Sequence, residues 1–318
     1  MMRAPSPLYT DPVHLAPTDP TLIAGPDGAW WMFYTQRRAR EPDGGTRWVH
    51  GTDIGVARSV DGGLTWTYDG VAAGLDPHPG RNTLWAPEVI LAGDRYHMFT
   101  SYIPGVPDRW EGHPRSILHH TSTDLLDWRY DGVLPLSSDR VIDACAHELP
   151  SGGWRLWYKD EAHGSTTWSV DSPDLAEWSA PVQVIGGAPH EGPNVFQLGE
   201  HYWMITDEWR GQAVYRSSDL TSWERAGQIL AEPGTRSLDR GVGHHADVVV
   251  GRDENGLEVG WIFYFTHRTV ATDGEHLVDN EVDPQRLTDI HVAVLRADGD
   301  RLSCDRDAPV ALDLRRTV

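Results

Sequence analysis

Short apolar segments rich in aromatic residues recur along the chain between polar turns. Five such segments occupy residues 30–34, 96–100, 154–158, 202–206 and 261–265. Each follows a turn rich in Gly or acidic residues, and each turn follows another short apolar run. A strand, a turn and a second strand in succession predict a β-hairpin. The pattern therefore predicts five hairpins.

A second motif follows four of the hairpins and consists of a Ser and an Asp in a turn, with a Trp a few residues later. A third apolar run, such as 54–57, leads into each turn. In the fifth unit the corresponding run, 290–294, leads into a turn at 297–299. The Ser and Asp side chains are predicted to cap the turn, and the indole is predicted to pack between neighbouring units. The motifs are Ser59 and Asp61 with Trp66, Ser122 and Asp124 with Trp128, Ser172 and Asp174 with Trp178, and Ser218 and Asp219 with Trp223.

Five units of three or four antiparallel strands, with almost no helical periodicity, predict an all-β fold. The architecture that fits this repeat best is a five-bladed β-propeller. We expect a single domain over residues 1–318. The predicted blades cover residues 19–80, 85–135, 141–185, 190–232 and 242–300.

The composition narrows the functional classes. The chain has 318 residues, and 47 Asp and Glu against 27 Lys and Arg give a formal net charge of −20. Phosphate contacts need clustered cations, so we expect no nucleic-acid partner. No apolar run approaches the ~20 residues of a membrane span, so we expect no membrane partner. The 15 Trp beside 5 Phe suggest a ligand that stacks on flat faces.

The N-terminal sequence and the cysteines indicate the compartment. No apolar stretch typical of a secretory signal occurs at the N-terminus, so we expect a cytoplasmic protein. Cys145 and Cys304 are 159 positions apart and lack CxxC spacing. This spacing argues against a disulfide framework and against a thiolate metal site.

Three carboxylates occupy one sequence offset from the aromatic segments. The positions eleven residues before the first four segments are Asp19, Trp85, Asp143 and Glu191, and Glu88 follows Trp85 by three. Equivalent positions in a propeller surround its axis, so we expect these side chains to converge. Converging carboxylates cannot all ionise freely, and at least one pKa should be raised. Glycoside hydrolysis needs such a set, one carboxylate as base or nucleophile and one carboxylic acid for the leaving oxygen.

Two further groups are candidate ligand contacts. Trp85 is the predicted platform for stacking a sugar, with Trp110 and Trp209 as further candidates. The fifth unit carries His244 and His245 in a predicted strand, two residues before Asp247. Neighbouring residues in a strand point to opposite faces, so we expect at most one of these histidines to face the axis, as a metal or substrate contact.

Taken together, these residues and the motifs around them resemble glycoside hydrolase family 43, over residues from about 19 to 300. The family usually has Asp where this chain has Glu88, and Pro where it has Ala144. The shared motifs are Thr18-Asp19-Pro20, Trp85-Ala86-Pro87-Glu88-Val89, Ile142-Asp143-Ala144, Glu191-Gly192-Pro193 and Gly241-Val242-Gly243-His244.

The resemblance implies a role for each matched residue. Asp19 would be the general base of an inverting mechanism, Asp143 would tune and orient the acid, and Glu191 would be the general acid. His244 would lie beside a central divalent cation, Ca²⁺ or a similar ion. No other cofactor is expected.

One segment is also similar to glycoside hydrolase family 117, which acts on anhydrogalactose ends of agar oligosaccharides. That family has a His directly before the equivalent Glu, as in His190-Glu191 here, so His190 would share or take over the role of acid. The family also has an N-terminal helical extension that swaps between subunits. Only 18 residues precede Asp19, which argues against agar-type specificity and against a swapped dimer. A homo-oligomer of another kind remains open.

The expected function is inverting, exo-acting hydrolysis of terminal furanoside, pentose or anhydro-sugar units from small oligosaccharides. The candidate substrate contacts are Trp85, Glu88, His190, His245 and Arg240. Three alternatives remain. A phosphorylase with this fold would need cations for phosphate, and Arg236, Arg240 and Arg268 are candidates. A non-catalytic carbohydrate-binding propeller and a sialidase are the others, the latter because residues 59–66 match an Asp-box.

Overall fold

The computed structural model describes residues 2–42, 45–236, 238–268 and 282–317. These residues form five four-stranded antiparallel sheets in which the strands lie side by side in chain order. The predicted all-β five-bladed β-propeller is therefore confirmed. Two 3-10 helices, Pro284–Arg286 and Leu314–Arg316, are the other regular elements described. No helix in the described ranges has the length and apolar character needed to span a membrane.

The blades follow one another along the chain, each made of four consecutive strands. Residues 269–281, which belong to the predicted fifth blade, lie outside the described residues. The strands are β1 (Pro17–Ala24), β2 (Trp30–Gln36), β3 (Asp53–Ser59), β4 (Thr67–Val71), β5 (Thr83–Ala92), β6 (Arg95–Ile103), β7 (Ser116–Ser122), β8 (Arg129–Val133), β9 (Val141–Glu148), β10 (Trp154–Asp160), β11 (Thr166–Ser172), β12 (Val182–Ile185), β13 (Glu191–Leu198), β14 (His201–Asp207), β15 (Gln212–Ser217), β16 (Glu224–Ile229), β17 (His244–Arg252), β18 (Glu258–His267), β19 (Thr288–Asp298) and β20 (Arg301–Asp305).

The five aromatic segments form the second strand of each blade. This strand has a neighbour on both sides in its sheet, and the faces of the sheet pack against adjoining blades, so its side chains are buried in both directions. All seven residues of β2 are buried. A strand covered on both faces reads as a continuous apolar run rather than an alternating one, which explains the aromatic segments in the sequence.

The hydrophobic core lies between blades rather than in one central mass. Trp128 of the second blade packs against Phe33 of the first, with ring centroids 5.9 Å apart. Trp223 of the fourth blade packs against Trp157 of the third at 6.2 Å. The prediction that these indoles pack between blades is confirmed. In the fourth motif the prediction of Ser218 was wrong, because the hydroxyl that bonds Asp219 belongs to Ser217.

Both chain ends join the first blade to the fifth. Near the N-terminus, the Leu8 amide donates to the Ile290 carbonyl at 2.9 Å. Near the C-terminus, the Leu314 amide donates to the Gly62 carbonyl at 2.9 Å, and the Leu314 side chain is fully buried in the core shared by these two blades. These contacts close the ring without a strand from one end entering the sheet of the other.

Candidate active site

The first strand of every blade contains a β-bulge at the same level. The pairing with the second strand shifts at residues 18–21, 85–88, 142–145, 191–194 and 244–246. A bulge inserts unpaired residues and redirects the side chains beside it, and bulges are frequent next to active sites. The five bulges therefore reorient one residue or more from each blade.

The bulges correct the predicted register of the carboxylates. Asp19 and Asp143 are the first bulged residues of their strands, with φ values of 51° and 60°. The structural equivalent in the fourth blade is Gly192, and Glu191 lies one position earlier, level with Trp85. The offset was one residue wrong because the hairpins that follow Asp19 and Asp143 are one residue longer than the other two. The left-handed backbone of the two aspartates is uncommon for non-glycine residues and is typical of functional sites.

The three predicted carboxylates nevertheless meet in one cavity of about 920 Å³. Asp19 comes from the first blade, Asp143 from the third and Glu191 from the fourth. Cations and aromatic rings complete the wall. The other lining residues are Arg37, Trp48, Val49, Trp85, Trp110, Arg115, Ile142, Lys159, Glu161, Trp209, His244, His245, Phe265, His267, Arg268, Asp283, Gln285 and Arg286.

Glu191 is held by two donors, one for each oxygen. Lys159 Nζ lies 2.9 Å from Oε2, and the indole nitrogen of Trp209 donates to Oε1 at 2.8 Å. Burial opposes the charged form of Glu191, but the ammonium and the hydrogen bonds outweigh it and lower the pKa of this carboxyl to about 2. Neither the ammonium group nor the indole N–H can accept a hydrogen bond from a protonated Glu191, so both contacts favour its carboxylate form.

Asp143 has the opposite tendency. Burial is the largest effect and raises the pKa of Asp143 to about 7; the charges of Glu191 and Asp19 act in the same direction and that of His245 against it. Asp143 Oδ2 accepts a hydrogen bond from the Gly192 amide at 3.2 Å. One raised carboxyl pKa in the cluster was predicted and is present. The raised pKa belongs to Asp143, however, and not to Glu191, the predicted acid.

Asp19 lies among donors and cations. The Thr18 hydroxyl donates to Oδ2 at 2.9 Å, His245 Nδ1 lies 3.5 Å from Oδ1, and Arg37 Nη2 lies 3.9 Å from Oδ2. Burial lowers the pKa of His245, but the carboxylates of Asp143 and Asp19 outweigh it and the net shift is upward. His245 therefore favours its charged form beside Asp19.

Both histidines of the fifth blade line the cavity, so the prediction that at most one would do so was wrong. The bulge between His244 and Ala246 interrupts the alternation of the strand. His244 Nδ1 lies 3.0 Å from Asp207 Oδ2, and its ring stacks on Phe265 with centroids 5.2 Å apart. Asp207 also accepts a hydrogen bond from the His245 amide at 3.1 Å, which fixes both residues from one side.

A central cation would find few protein ligands here. Among the described residues no group of three or more His, Cys, Asp or Glu side chains could hold a metal ion. One nitrogen of His244 is already committed to Asp207. These residues do not fit a protein-ligated metal, and we derive no chemical step through one.

The cavity indoles differ in exposure. Trp85, the predicted stacking platform, is only 8% exposed, and its indole nitrogen donates to the Val49 carbonyl at 2.6 Å. The guanidinium carbon of Arg115 lies 5.5 Å from its ring centre. Trp110 is 49% exposed and Trp209 is 46% exposed. The two further candidates therefore offer a sugar more ring surface than Trp85 does.

Three predicted substrate contacts, Glu88, His190 and Arg240, do not line the cavity, and this corrects their expected position. Glu88 accepts a hydrogen bond from the Ala146 amide at 2.8 Å. Both ring nitrogens of His190 have partners, the Thr167 hydroxyl at 2.8 Å and the Ala188 carbonyl at 2.9 Å.

The cations proposed for a phosphate are also placed differently. Arg236 binds Asp239 at 2.7 Å, outside the cavity lining. Arg268 lines the cavity, but Asp289 engages it with both oxygens at 2.7 and 2.8 Å.

Lys159, whose ammonium group pairs with Glu191, was not predicted from the sequence. Lys159 is the only lysine in the chain, since the other 26 of the 27 cationic residues are arginines. Its side chain is 5% exposed. A single lysine at the end of an otherwise apolar and aromatic segment was the available signal, because burying an ammonium group requires a paired anion.

Solved structures with the same fold include three carbohydrate-active enzymes. A thermostable family-43 glycoside hydrolase is 17% identical, with a TM-score of 0.67, and the match covers 96% of this chain and 99% of that chain. An α-L-arabinofuranosidase from Lactobacillus brevis is 15% identical, with a TM-score of 0.64 and coverage of 96% and 98%. An exo-β-1,3-galactanase from Clostridium thermocellum is 13% identical, with a TM-score of 0.68, and the match covers 93% of this chain and 63% of that one.

Neither the protein-family models nor the curated proteins contain a match to this chain. TM-scores of 0.64–0.68 over nearly the whole chain establish a common fold, at sequence identities of 13–17%. The chain is thus a five-bladed β-propeller of the architecture seen in these glycoside hydrolase structures.

Proposed function

We propose that the protein is a glycoside hydrolase that acts on oligosaccharides. The observation that carries this proposal is the meeting of Asp19, Asp143 and Glu191, from three different blades, in one cavity with exposed indoles. The solved structures with this fold include an α-L-arabinofuranosidase and an exo-β-1,3-galactanase. A cavity of about 920 Å³ is large enough to enclose a small ligand. This size supports exo action on terminal furanoside, pentose or anhydro-sugar units.

In the proposed inverting mechanism, Asp19 activates a water molecule on one face of the anomeric carbon. His245 and Arg37 lie beside this carboxylate, and the Thr18 hydroxyl orients it. An inverting pair needs a separation of roughly 6.5–9.5 Å between base and acid to admit the water.

The proton for the leaving oxygen belongs to Asp143 and Glu191 as a pair. Interacting carboxyl groups titrate together, so the apparent pKa of the shared proton describes the pair and not either residue alone. In the free protein burial favours the protonated form of Asp143, because it raises the pKa of this carboxyl to about 7. For Glu191 to deliver it, a bound sugar must weaken the Lys159 contact, which allows the proton to move to Glu191. Asp143 then acts as the proton store and the residue that orients the acid.

Replacing Asp19 by Asn tests the proposal. We expect turnover of aryl glycosides and natural disaccharides to fall by at least about a thousand-fold, because the attacking water loses its base. The product anomer, followed by NMR, should show inversion in the wild type. Near-normal turnover in Asp19→Asn, or retention of configuration, would remove Asp19 as the base. The same panel without any turnover in the wild type would support the non-catalytic carbohydrate-binding alternative.

A cytoplasmic location, a homo-oligomer and a central divalent cation remain predictions. Gel filtration with light scattering measures the oligomeric state. Elemental analysis of the purified protein detects a bound cation.

A further inference from the structure

Two arginines on one wall of the cavity differ from the other cations that line it. Lys159 lies 2.9 Å from Glu191, and Arg268 lies 2.7 Å from Asp289, so both of these cations are neutralised by close carboxylates. In a chain with a net charge of −20, a paired cation is the ordinary case. Cavity-lining arginines that form no hydrogen bond with a carboxylate therefore need a separate explanation.

Arg37 and Arg286 are those two residues. Among the described residues, the carboxylate closest to Arg37 is that of Asp19, whose Oδ2 lies 3.9 Å from Nη2, an ion-pair distance that is longer than a hydrogen bond. Arg286 forms no ion pair within the described part of the chain, and its Nη1 donates to the Glu41 carbonyl at 3.0 Å. The Arg37 Nε atom is buried without a hydrogen-bond partner among the described residues. Both guanidinium groups thus keep donor capacity at the cavity wall.

Aromatic rings hold the two guanidinium groups on the same wall. The guanidinium carbons of Arg37 and Arg286 lie 6.0 and 5.7 Å from the centre of the Trp48 ring, and that of Arg37 also lies 5.4 Å from Phe265. Such contacts attract a cation and leave the edge donors of a guanidinium group available. The rings therefore position the two guanidinium groups without forming hydrogen bonds to their N–H donors.

We propose that Arg37 and Arg286, held against Trp48, form a binding site for an oxyanion beside Asp19. Planar guanidinium groups bind carboxylate, sulfate and phosphate oxygens in pairs, and two guanidinium groups beside one ring favour such an anion over a neutral hydroxyl. The anion is either carried by the sugar, as a uronate carboxylate or a sulfate ester, or is free phosphate. Oxyanion binding can be measured without turnover, so the proposal of this site does not depend on the proposed hydrolysis.

The test measures binding by isothermal titration calorimetry on the full chain. The probes are inorganic sulfate, inorganic phosphate, glucuronate and, as the neutral match, glucose. The variants are Arg37→Gln and Arg286→Gln. Arg129→Gln is the control, because its side chain is 71% exposed and it does not line the cavity. Thermal unfolding of every variant shows whether it is folded.

We expect at least one oxyanion to bind the wild type and the control equally, with affinity that falls as salt is added. Each cavity variant should weaken that binding by roughly ten-fold, since a hydrogen bond to a charged group is lost. No binding of sulfate, phosphate or glucuronate to the folded wild type would overturn the proposal, as would equal binding by Arg286→Gln.

A second measurement separates the two sources of the anion. If cleavage of glycosides requires phosphate and yields a sugar 1-phosphate, the site holds free phosphate, whose oxygen bonds to the anomeric carbon while the leaving oxygen takes the proton. If cleavage needs no phosphate and glucuronate binds more tightly than glucose, the anion is carried by the sugar. If Asp19→Asn loses turnover but still binds the oxyanion, the result supports both the hydrolase and the oxyanion site. If the oxyanion binds but neither the wild type nor any variant shows turnover, the result contradicts the hydrolase proposal and leaves the oxyanion site supported.

Discussion

Lys159 Nζ lies 2.9 Å from Glu191 Oε2, and this contact joins the only lysine of the chain to a predicted catalytic carboxylate. The same ammonium lies 3.4 Å from Glu161 and 5.3 Å from the centre of the Trp209 ring. An ammonium is a compact charge that adapts to several acceptors, whereas a guanidinium needs a planar partner. This difference explains a lysine at this one position in a chain that otherwise uses arginine.

Replacing Lys159 by Met should raise the pKa of Glu191. The ammonium is the strongest influence that favours the charged form of this carboxyl, and without it burial prevails. We expect the Glu191 titration to move upward by more than one pH unit, measured by carbonyl ¹³C NMR on glutamate-labelled protein. Arg129→Gln is the control. An unchanged Glu191 titration in a folded Lys159→Met variant would contradict the electrostatic role of the lysine.

Replacing Trp209 by Phe should act on the same carboxyl more weakly. The ring remains, but the hydrogen bond from the indole nitrogen to Glu191 Oε1 is lost. We expect the pKa of Glu191 to rise by less than in Lys159→Met, with kcat changed more than KM. Trp110→Phe is the matched control, because Trp110 is an exposed indole of the same cavity. Equal shifts of the Glu191 pKa in Trp209→Phe and Trp110→Phe would contradict a specific role of the Trp209 indole N–H.

Turnover should fall as the pH rises above about 7. Burial raises the pKa of Asp143 to about 7, so the proton shared by Asp143 and Glu191 is lost above that value. The pH dependence of kcat/KM reports this ionisation in the free enzyme. We expect the alkaline limb to disappear in Asp143→Asn together with most of the activity. A wild-type profile that remains flat from pH 6 to 9 would argue against a proton held by this pair.

Glu88 should make stability depend on pH. Burial and the nearby Asp247 raise the pKa of Glu88 to about 8, whereas an unfolded glutamate titrates near 4.3. The folded state binds the proton more tightly, so this group stabilises the protein fully below about pH 4.3, and the contribution is lost as the pH rises towards 8. Glu88→Gln should therefore unfold at a temperature that changes less between pH 5 and 9. Parallel melting curves for the two proteins would contradict this assignment.

Replacing Leu314 by Ala should weaken the closure of the ring. The Leu314 side chain is fully buried between the first and fifth blades. Such truncations cost about 2–5 kcal/mol through lost burial and the cavity left behind. Denaturant unfolding measures the loss, and Leu126→Ala, which removes a side chain that is 55% exposed, should change stability by less than about 0.5 kcal/mol.

The bulges explain why the sequence predicted where the site lies but not the register and orientation of its side chains. The repeat of aromatic segments placed Asp19, Asp143 and Glu191 near the same end of three blades, and all three line the cavity. Their register came out one residue wrong because hairpin length is set by turn geometry. The alternation rule failed for His244 and His245 for a related reason, since a bulge is an interruption of strand pairing that the residue pattern does not show.

The sequence by itself determined the five-fold repeat, the all-β architecture and the packing of indoles between blades. A strand that is buried on both faces has a continuous run of apolar and aromatic residues, and this run is visible in the sequence. Only the tertiary structure decided the charge of each group. Lys159 reaches Glu191 from a neighbouring blade, and His190 and Glu88 turn away from the cavity. A pKa depends on burial and on charges a few ångströms away, and those neighbours are distant along the chain.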